Sequence, residues 1–262
     1  MSSITDPVVE FEGISKSFGS IQALESVSFG VPENEVLALM GDNGAGKSTL
    51  IKILSGVLSP TEGRLYVDGQ EARFQSHIEA RDMGIETVYQ DLAVAPNRTV
   101  YENIFLGKEL LKGGAVGRLL GLLNDERMYR ESEKILSDLN MSLDPDSLVK
   151  NLSGGQQQAV AIARAVQSSP HIIVMDEPTS ALSVEAAQRI LELIDDLRSQ
   201  GMTVILINHN IDEVFEVADR IAVLAQGNLV GTRHASELSE SQLIQMMMGR
   251  SDTQDTSSAG VP

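Results

Sequence analysis

The stretch that most limits what this chain can fold into is EVLALMGDNGAGKST, residues 35 to 49. A short apolar run stops at Gly41, a glycine-rich loop follows, and KSTLIKILSGV then carries helical spacing. The loop fits G-x-x-x-x-G-K-[ST], and a strand before it with a helix after it is the context that motif requires. Its glycines let the main chain wrap so that N–H groups from Asn43 to Ser48 face inward. The helix start adds its positive dipole end. Lys47 is expected to reach terminal phosphate oxygens, and the Ser48 hydroxyl to ligate Mg²⁺. Gly41, Asp42, Asn43, Gly44, Ala45, Gly46, Lys47, Ser48 and Thr49 are therefore the candidate phosphate site.

Strand-like and helix-like stretches alternate along most of the chain, which points to an α/β layer architecture. VVEFEGISKSFG, ESVSFGV, RLYVDG and IETVYQ read as strands. HIIVMDE (171 to 177) and MTVILINH (202 to 209) are continuous apolar runs that end in polar residues. Such runs suit central strands buried on both faces. RIAVLAQGNLVG reads as a closing hairpin with Gln226-Gly227-Asn228 at its turn. Strand signals fade between residues 91 and 150. TVYENIFLG and NDERMYRESEKILSDLN read there as helices, separated by KGGAVGRLLGLLN, a loop or loosely held helix. A single domain over residues 1 to 250 is expected, with a mostly helical subdomain at about 91 to 168. The polar tail 251 to 262 is expected to be disordered.

The second candidate cluster sits at strand ends. IIVMDEP places Asp176 and Glu177 where α/β proteins bind ligands, at the carboxyl edge of the sheet. Asp176 suits a Mg²⁺ held through water, and Glu177 a general base beside the attacking water. A solvated acidic pair would have the same spelling. His209 ends the last long apolar run, where it is either structural or a sensor of a terminal phosphate. Gln90, closing IETVYQ, either touches the metal or its water or caps a strand. Further along, LSGGQQQAVAIARAV opens a helix with Ser153 as its cap. Gly154 and Gly155 let that helix start approach an anion, with Gln156 beside them.

Composition removes several function classes. The 262 residues contain no cysteine and four scattered histidines, so disulfides are impossible and a zinc site is not expected. A formal net charge of −17 opposes duplex binding, which depends on Lys and Arg at phosphates. No apolar run approaches the roughly 18 residues of a membrane span, and the first residues lack the pattern of a secretory signal. A cytosolic protein without nucleic-acid partners is expected.

The phosphate loop, Gln90, LSGGQ, Asp176-Glu177 and His209 stand in the order and approximate spacing of ATP-binding-cassette ATPases, and the resemblance covers about residues 8 to 249. It implies a P-loop NTPase core with a mixed sheet, an N-terminal antiparallel β-subdomain and an inserted helical subdomain. It also implies ATP and Mg²⁺ as ligands, with Ser48, Gln90 and Asp176 around the metal. Lys47, Gln90, Glu177 and His209 would act in catalysis. Phe18 matches the aromatic that stacks on adenine, although a strand-edge aromatic could equally be structural. Ser153, Gly154, Gly155 and Gln156 would face the γ-phosphate held by a second protomer, making the working unit a homodimer on ATP binding.

GDNGAGKSTLIKILSGV, GIETVYQDLAVAPNRTVYENIFLG and QLIQMMMGR further resemble the ATPases of bacterial monosaccharide importers of the ribose, xylose, galactose and fructose class, in their single-cassette form. That resemblance implies a peripheral protein at the cytoplasmic face of the membrane, bound to permease subunits and indirectly to a sugar-binding protein. DLAVAPNRTVYENIF is the expected permease surface. One departure stands out: the family usually reads SALD where this chain reads SALS, with Ser183 in the aspartate position. The alternative is a soluble ATPase of an assembly scaffold of the iron–sulfur type, with no transporter.

Overall fold

The computed structural model describes residues 7–113 and 120–249. Among the described residues ten strands form two sheets. β1 (Val9–Phe18), β2 (Ile21–Val31), β4 (Glu62–Val67) and β5 (Gln70–Ala72) make an antiparallel sheet in the order β2-β1-β4-β5. β3 (Val36–Met40), β6 (Ile85–Val88), β7 (Ile172–Asp176), β8 (Thr203–Ile207), β9 (Arg220–Ala225) and β10 (Asn228–His234) make a mixed sheet in the order β10-β9-β3-β8-β7-β6. Neighbours from β9 through β6 run parallel and only β10 is antiparallel.

Every residue of β3 and β8 is buried. Their unbroken Val, Ile and Leu runs follow from being covered on both faces. Because successive side chains leave a strand on opposite sides, Leu37, Leu39, Val174 and Ile205 face one layer while Val36, Ile173, Met175 and Val204 face the other. The first layer is helix α1 (Lys47–Leu54) backed by the antiparallel sheet, with Val9, Phe11 and Ile14 meeting Leu50 and Leu54. The second is built by α3 (Val100–Ile104), α4 (Asp125–Asp138), α5 (Gly154–Val166) and α6 (Val184–Ser199). Ala38, Met40, Ile221 and Val223 carry a third cluster under α7 (Ile211–Val217) and α8 (Glu240–Met247).

The β9–β10 hairpin closes with two residues rather than three. Gln226 and Gly227 both take positive φ, 51° and 81°, while Asn228 already pairs with Ala225. That is the turn whose twist matches the flanking strands. β5, α2 (His77–Asp82), α6, α7 and α8 were not identified from the sequence. In the segment expected as a loop or loosely held helix the described residues form a loop, and Leu123 makes an isolated antiparallel bridge to Leu111 just before it. Residues 114–119 of that segment and the 251–262 tail lie outside the described residues.

Lys108, just past α3, meets Glu86 of β6 at 2.6 Å, and the Ser168 hydroxyl after α5 donates to the same carboxylate at 2.7 Å. Both charged side chains are about four-fifths shielded, so removing one would leave its partner desolvated and unpaired. The helical segment is thereby fastened to the outermost parallel strand.

Candidate active site

The parallel strands deliver their carboxyl ends to one edge. β3 runs into the glycine loop, β7 into Asp176 and Glu177, β8 into Asn208 and His209, and β6 into Tyr89 and Gln90. β3 has β8 on one side and β9 on the other, and β7 lies beyond β8. Ligands of open α/β sheets gather where connections diverge in this way.

Two glycines of the loop are fixed by close backbone approach. A Cβ on Gly41 (φ 145°) would lie 2.1 Å from the Leu224 carbonyl oxygen. One on Gly46 (φ 106°) would lie 2.7 Å from the Ala23 oxygen and 2.6 Å from the Leu24 side chain. Gly44 (φ 84°) faces open space, so only its left-handed backbone demands glycine. Ala45 N–H turns back on Asp42 C=O at 3.1 Å, and the first helical bond runs from Leu50 N–H to Gly46 C=O. The amides of Gly46, Lys47, Ser48 and Thr49 lie between these two bonds without an acceptor among the described residues, and Gly46 supplies no side-chain cap. Lys47 is only 6 % exposed, and its ammonium donates to Gly41 C=O at 2.6 Å and Asp42 C=O at 3.1 Å.

Burial pushes the Lys47 ammonium below its ordinary pKa, opposed by the charges of Glu177, Asp176 and Asp42. Burial likewise raises the Asp176 carboxyl, Glu177 raises it further, and Lys47 and His209 oppose the shift. One electrostatic neighbourhood thus holds a cation from β3's loop, two carboxylates from β7 and the imidazole from β8. Glu177 has φ 50°, a left-handed conformation that costs a residue with a side chain about 1–3 kcal/mol. The turn re-aims the carboxylate: Glu177 N–H donates to Ile207 C=O at 2.9 Å, and Glu177 Oε1 lies 2.7 Å from His209 Nε2.

Ser153 caps α5 as expected, in a reciprocal box. Its hydroxyl accepts from Gln156 N–H at 3.4 Å, while Gln156 Oε1 accepts from Ser153 N–H at 2.9 Å. The Gln156 side chain is therefore engaged by its own helix start. Gly155 has a packing reason in addition to any ligand: a Cβ there would lie 2.8 Å from the Cβ of Ala186 on α6. Gly154 would meet only Leu182, at 3.4 Å. Ser183 caps α6, accepting from Ala186 N–H at 3.3 Å, which an aspartate would also do without changing the helix start. What differs at that position is the missing negative charge.

Phe18 stands 47 % exposed at the tip of the β1–β2 hairpin, with the Lys16 ammonium 5.4 Å from its ring centre. Gln90 is exposed beyond β6. Sequence reasoning passed over Arg164 of α5, which donates to Leu92 C=O at 2.7 Å and Ala93 C=O at 3.0 Å in the segment just after Gln90. Its only signal was a lone cation in the apolar run AVAIARAV.

A family model described as ABC transporter matches residues 24–180. A xylose/arabinose import ATP-binding protein of Sulfolobus acidocaldarius is 45% identical over 92% of this chain and 93% of its own. A fructose import ATP-binding protein of Rhizobium meliloti is 40% identical over 93% of this chain and 95% of its own. The chain spans about half the length of other relatives, 47% of a xylose import ATP-binding protein of Geobacillus kaustophilus at 42% identity over 93% of this chain. Among solved structures, a nucleotide-free ATP-binding cassette from an ABC transporter superposes with a TM-score of 0.79 at 30% identity, covering 93% of this chain and 95% of that one. A dimeric cassette bound to ADP and phosphate superposes with a TM-score of 0.71 at 30% identity, covering 87% and 98%. With these likenesses running nearly end to end over a phosphate loop, a strand-end carboxylate pair and a capped LSGGQ helix, the chain belongs to the ABC transporter family, as one of its ATP-binding cassettes.

Proposed function

We propose that this cassette hydrolyses ATP to power import of a monosaccharide through a membrane permease. The observation that carries the hydrolytic part is the 2.7 Å contact between Glu177 and His209, beside buried Lys47 and Asp176 at one sheet edge. The import part rests on relatives named as xylose, arabinose, fructose and ribose import ATP-binding proteins.

In this reading the loop amides and Lys47 hold the β- and γ-phosphates, and Phe18 lies against the adenine. Glu177 takes a proton from the attacking water as its oxygen bonds to the γ-phosphorus, and the bond to the β–γ bridging oxygen breaks, giving ADP and phosphate. His209 keeps the Glu177 carboxylate aimed and contacts the γ-phosphate. Among the described residues no three His, Asp or Glu side chains group as a metal cage. Ser48 and Asp176, with Gln90 at the water shell, are instead a sparse oxygen set of the kind that suits Mg²⁺ shared with phosphates. The ion would supply positive charge to the phosphate oxygens.

The working unit is a homodimer in which Ser153, Gly154 and Gly155 of one protomer complete the site of the other; solved dimeric cassettes support this. Residues 91 to 168 form the proposed helical subdomain of a single unit over 1 to 250, and residues 91 to 105 the permease surface. No helix among the described residues is long and apolar enough to cross a membrane, which fits a peripheral subunit on the cytoplasmic face.

The test is sugar-stimulated ATPase activity after reconstitution with the permease. Glu177→Gln is expected to lower turnover by about 10²- to 10⁴-fold while ATP still binds. Undiminished turnover in that variant would sink the mechanism.

A further inference from the structure

Among the described residues, five helix starts carry an acceptor side chain at the cap and Glu or Gln three residues later. Thr99 with Glu102, Ser153 with Gln156 and Ser239 with Gln242 each close a reciprocal capping box. Two others do not: Ser76 makes no cap bond and Glu79 accepts from Gln75 N–H at 2.9 Å at the start of α2, and Asn210 with Glu213 stays open at the start of α7. Asn210 Oδ1 accepts from Asp212 and Glu213 N–H, but Asn210 N–H is taken by Asn208 Oδ1 at 3.0 Å, and the Glu213 carboxylate turns away from the helix start.

It turns into a cluster of side chains between two loops. Glu213 Oε2 accepts from the Thr179 hydroxyl at 2.6 Å and from Asn208 Nδ2 at 2.7 Å, and Oε1 accepts from Asn210 Nδ2 at 2.9 Å. Asn208 Nδ2 also reaches Thr179 Oγ1 at 3.1 Å, closing a triangle. Thr179 and Asn208 are 7 % and 5 % exposed. Thr179 lies two residues beyond Glu177, and Asn208 immediately precedes His209. The cluster therefore joins the loop of the carboxylate to the loop of the imidazole directly behind their 2.7 Å contact.

We infer that Glu213, Thr179 and Asn208 are positioning residues that set the separation and aim of the Glu177–His209 pair. The inference rests on the reading of that pair as hydrolytic. Glu177 needs such support because its left-handed backbone is not self-determined. A carboxylate accepting three side-chain hydrogen bonds from both loops leaves little freedom between them.

The experiment uses the full chain, with steady-state kcat and KM for MgATP, ATP affinity by calorimetry, and thermal unfolding. Thr179→Val keeps shape and removes the hydroxyl; Thr179→Ser keeps the hydroxyl. Thr179→Val is expected to lower kcat about ten- to a hundredfold, the loss typical of a misplaced reacting group. KM and ATP affinity are expected to stay within about threefold, and Thr179→Ser to recover most of the rate. Glu213→Gln provides a second reading with the same kcat-only signature should the valine variant not fold. Wild-type kcat in Thr179→Val or Glu213→Gln overturns the inference, as does a loss of kcat that follows the loss of folded protein and of affinity in both. If the wild type itself hydrolyses no ATP, the hydrolytic reading fails first, a result separable from the variants.

Discussion

The chain contains two helix starts that resemble each other in spelling and differ in how their main-chain donors are used. At α1 the cap is Gly46, which offers no side chain, and the amides of Gly46 to Thr49 have no acceptor among the described residues. At α5 the cap is Ser153 and the third residue is Gln156, and the two satisfy each other. The first helix start leaves four successive donors to water or an outside anion. The second leaves only the Gly154 and Gly155 amides open, because its box takes up those of Ser153 and Gln156. That asymmetry fits a division of labour in which α1 grips nucleotide within its own protomer, while α5 presents a preformed surface to a nucleotide held by another.

Three substitutions, the last with a compensating partner, test the contrast. Lys47→Ala is expected to have the largest effect: a charged donor to phosphate contributes about 1.5–3 kcal/mol, so ATP affinity of the full chain should fall about ten- to a hundredfold by calorimetric titration. An unchanged affinity would remove α1 from the site. Ser153→Arg is expected to leave that affinity intact but weaken ATP-driven dimerisation at least about tenfold, or 1.4 kcal/mol, read by sedimentation with and without ATP. Intact dimerisation would refute the presented-surface role. The smallest change is in stability. Gly155→Ala gains helix propensity but forces a Cβ against Ala186 at 2.8 Å, for a net loss of about 1 kcal/mol in urea unfolding. Ala186→Gly carries its own helix-propensity cost, so the double variant should lose less stability than the sum of the two single losses, because the two atoms collide with each other. Additive losses would mean Gly155 serves something other than this helix contact.

Much of the fold was written in the spelling of single segments. β3, β7 and β8 announce themselves because strands covered on both faces are uninterruptedly apolar, and the same runs end on Asp176, Glu177 and His209. What escaped was decided between segments. β5 is three residues long and exists because β4 offers it an edge. The turn at Gln226 and Gly227 was set one residue too long because Asn228 looks like a turn residue until Ala225 pairs with it. Gly155 reads as an anion-site glycine until α6 brings Ala186 against it. Glu213 went unremarked in the sequence, because its carboxylate finds its partners only when Thr179 and Asn208 arrive from other segments.

Arg164 makes α5 more than a capped helix. Its guanidinium, which burial pushes below its usual pKa and which still cannot lose its proton in a protein, grips the Leu92 and Ala93 carbonyls beyond Gln90. Ser153 caps the opposite end of the same 13-residue helix, about 17 Å from Arg164 by α-helical rise. A rod clamped at one end and exposed at the other transmits displacement with little loss. In the proposed dimer, a displacement of Ser153 by a second protomer would reach Leu92 and Ala93, at the start of the proposed permease surface, through this one helix.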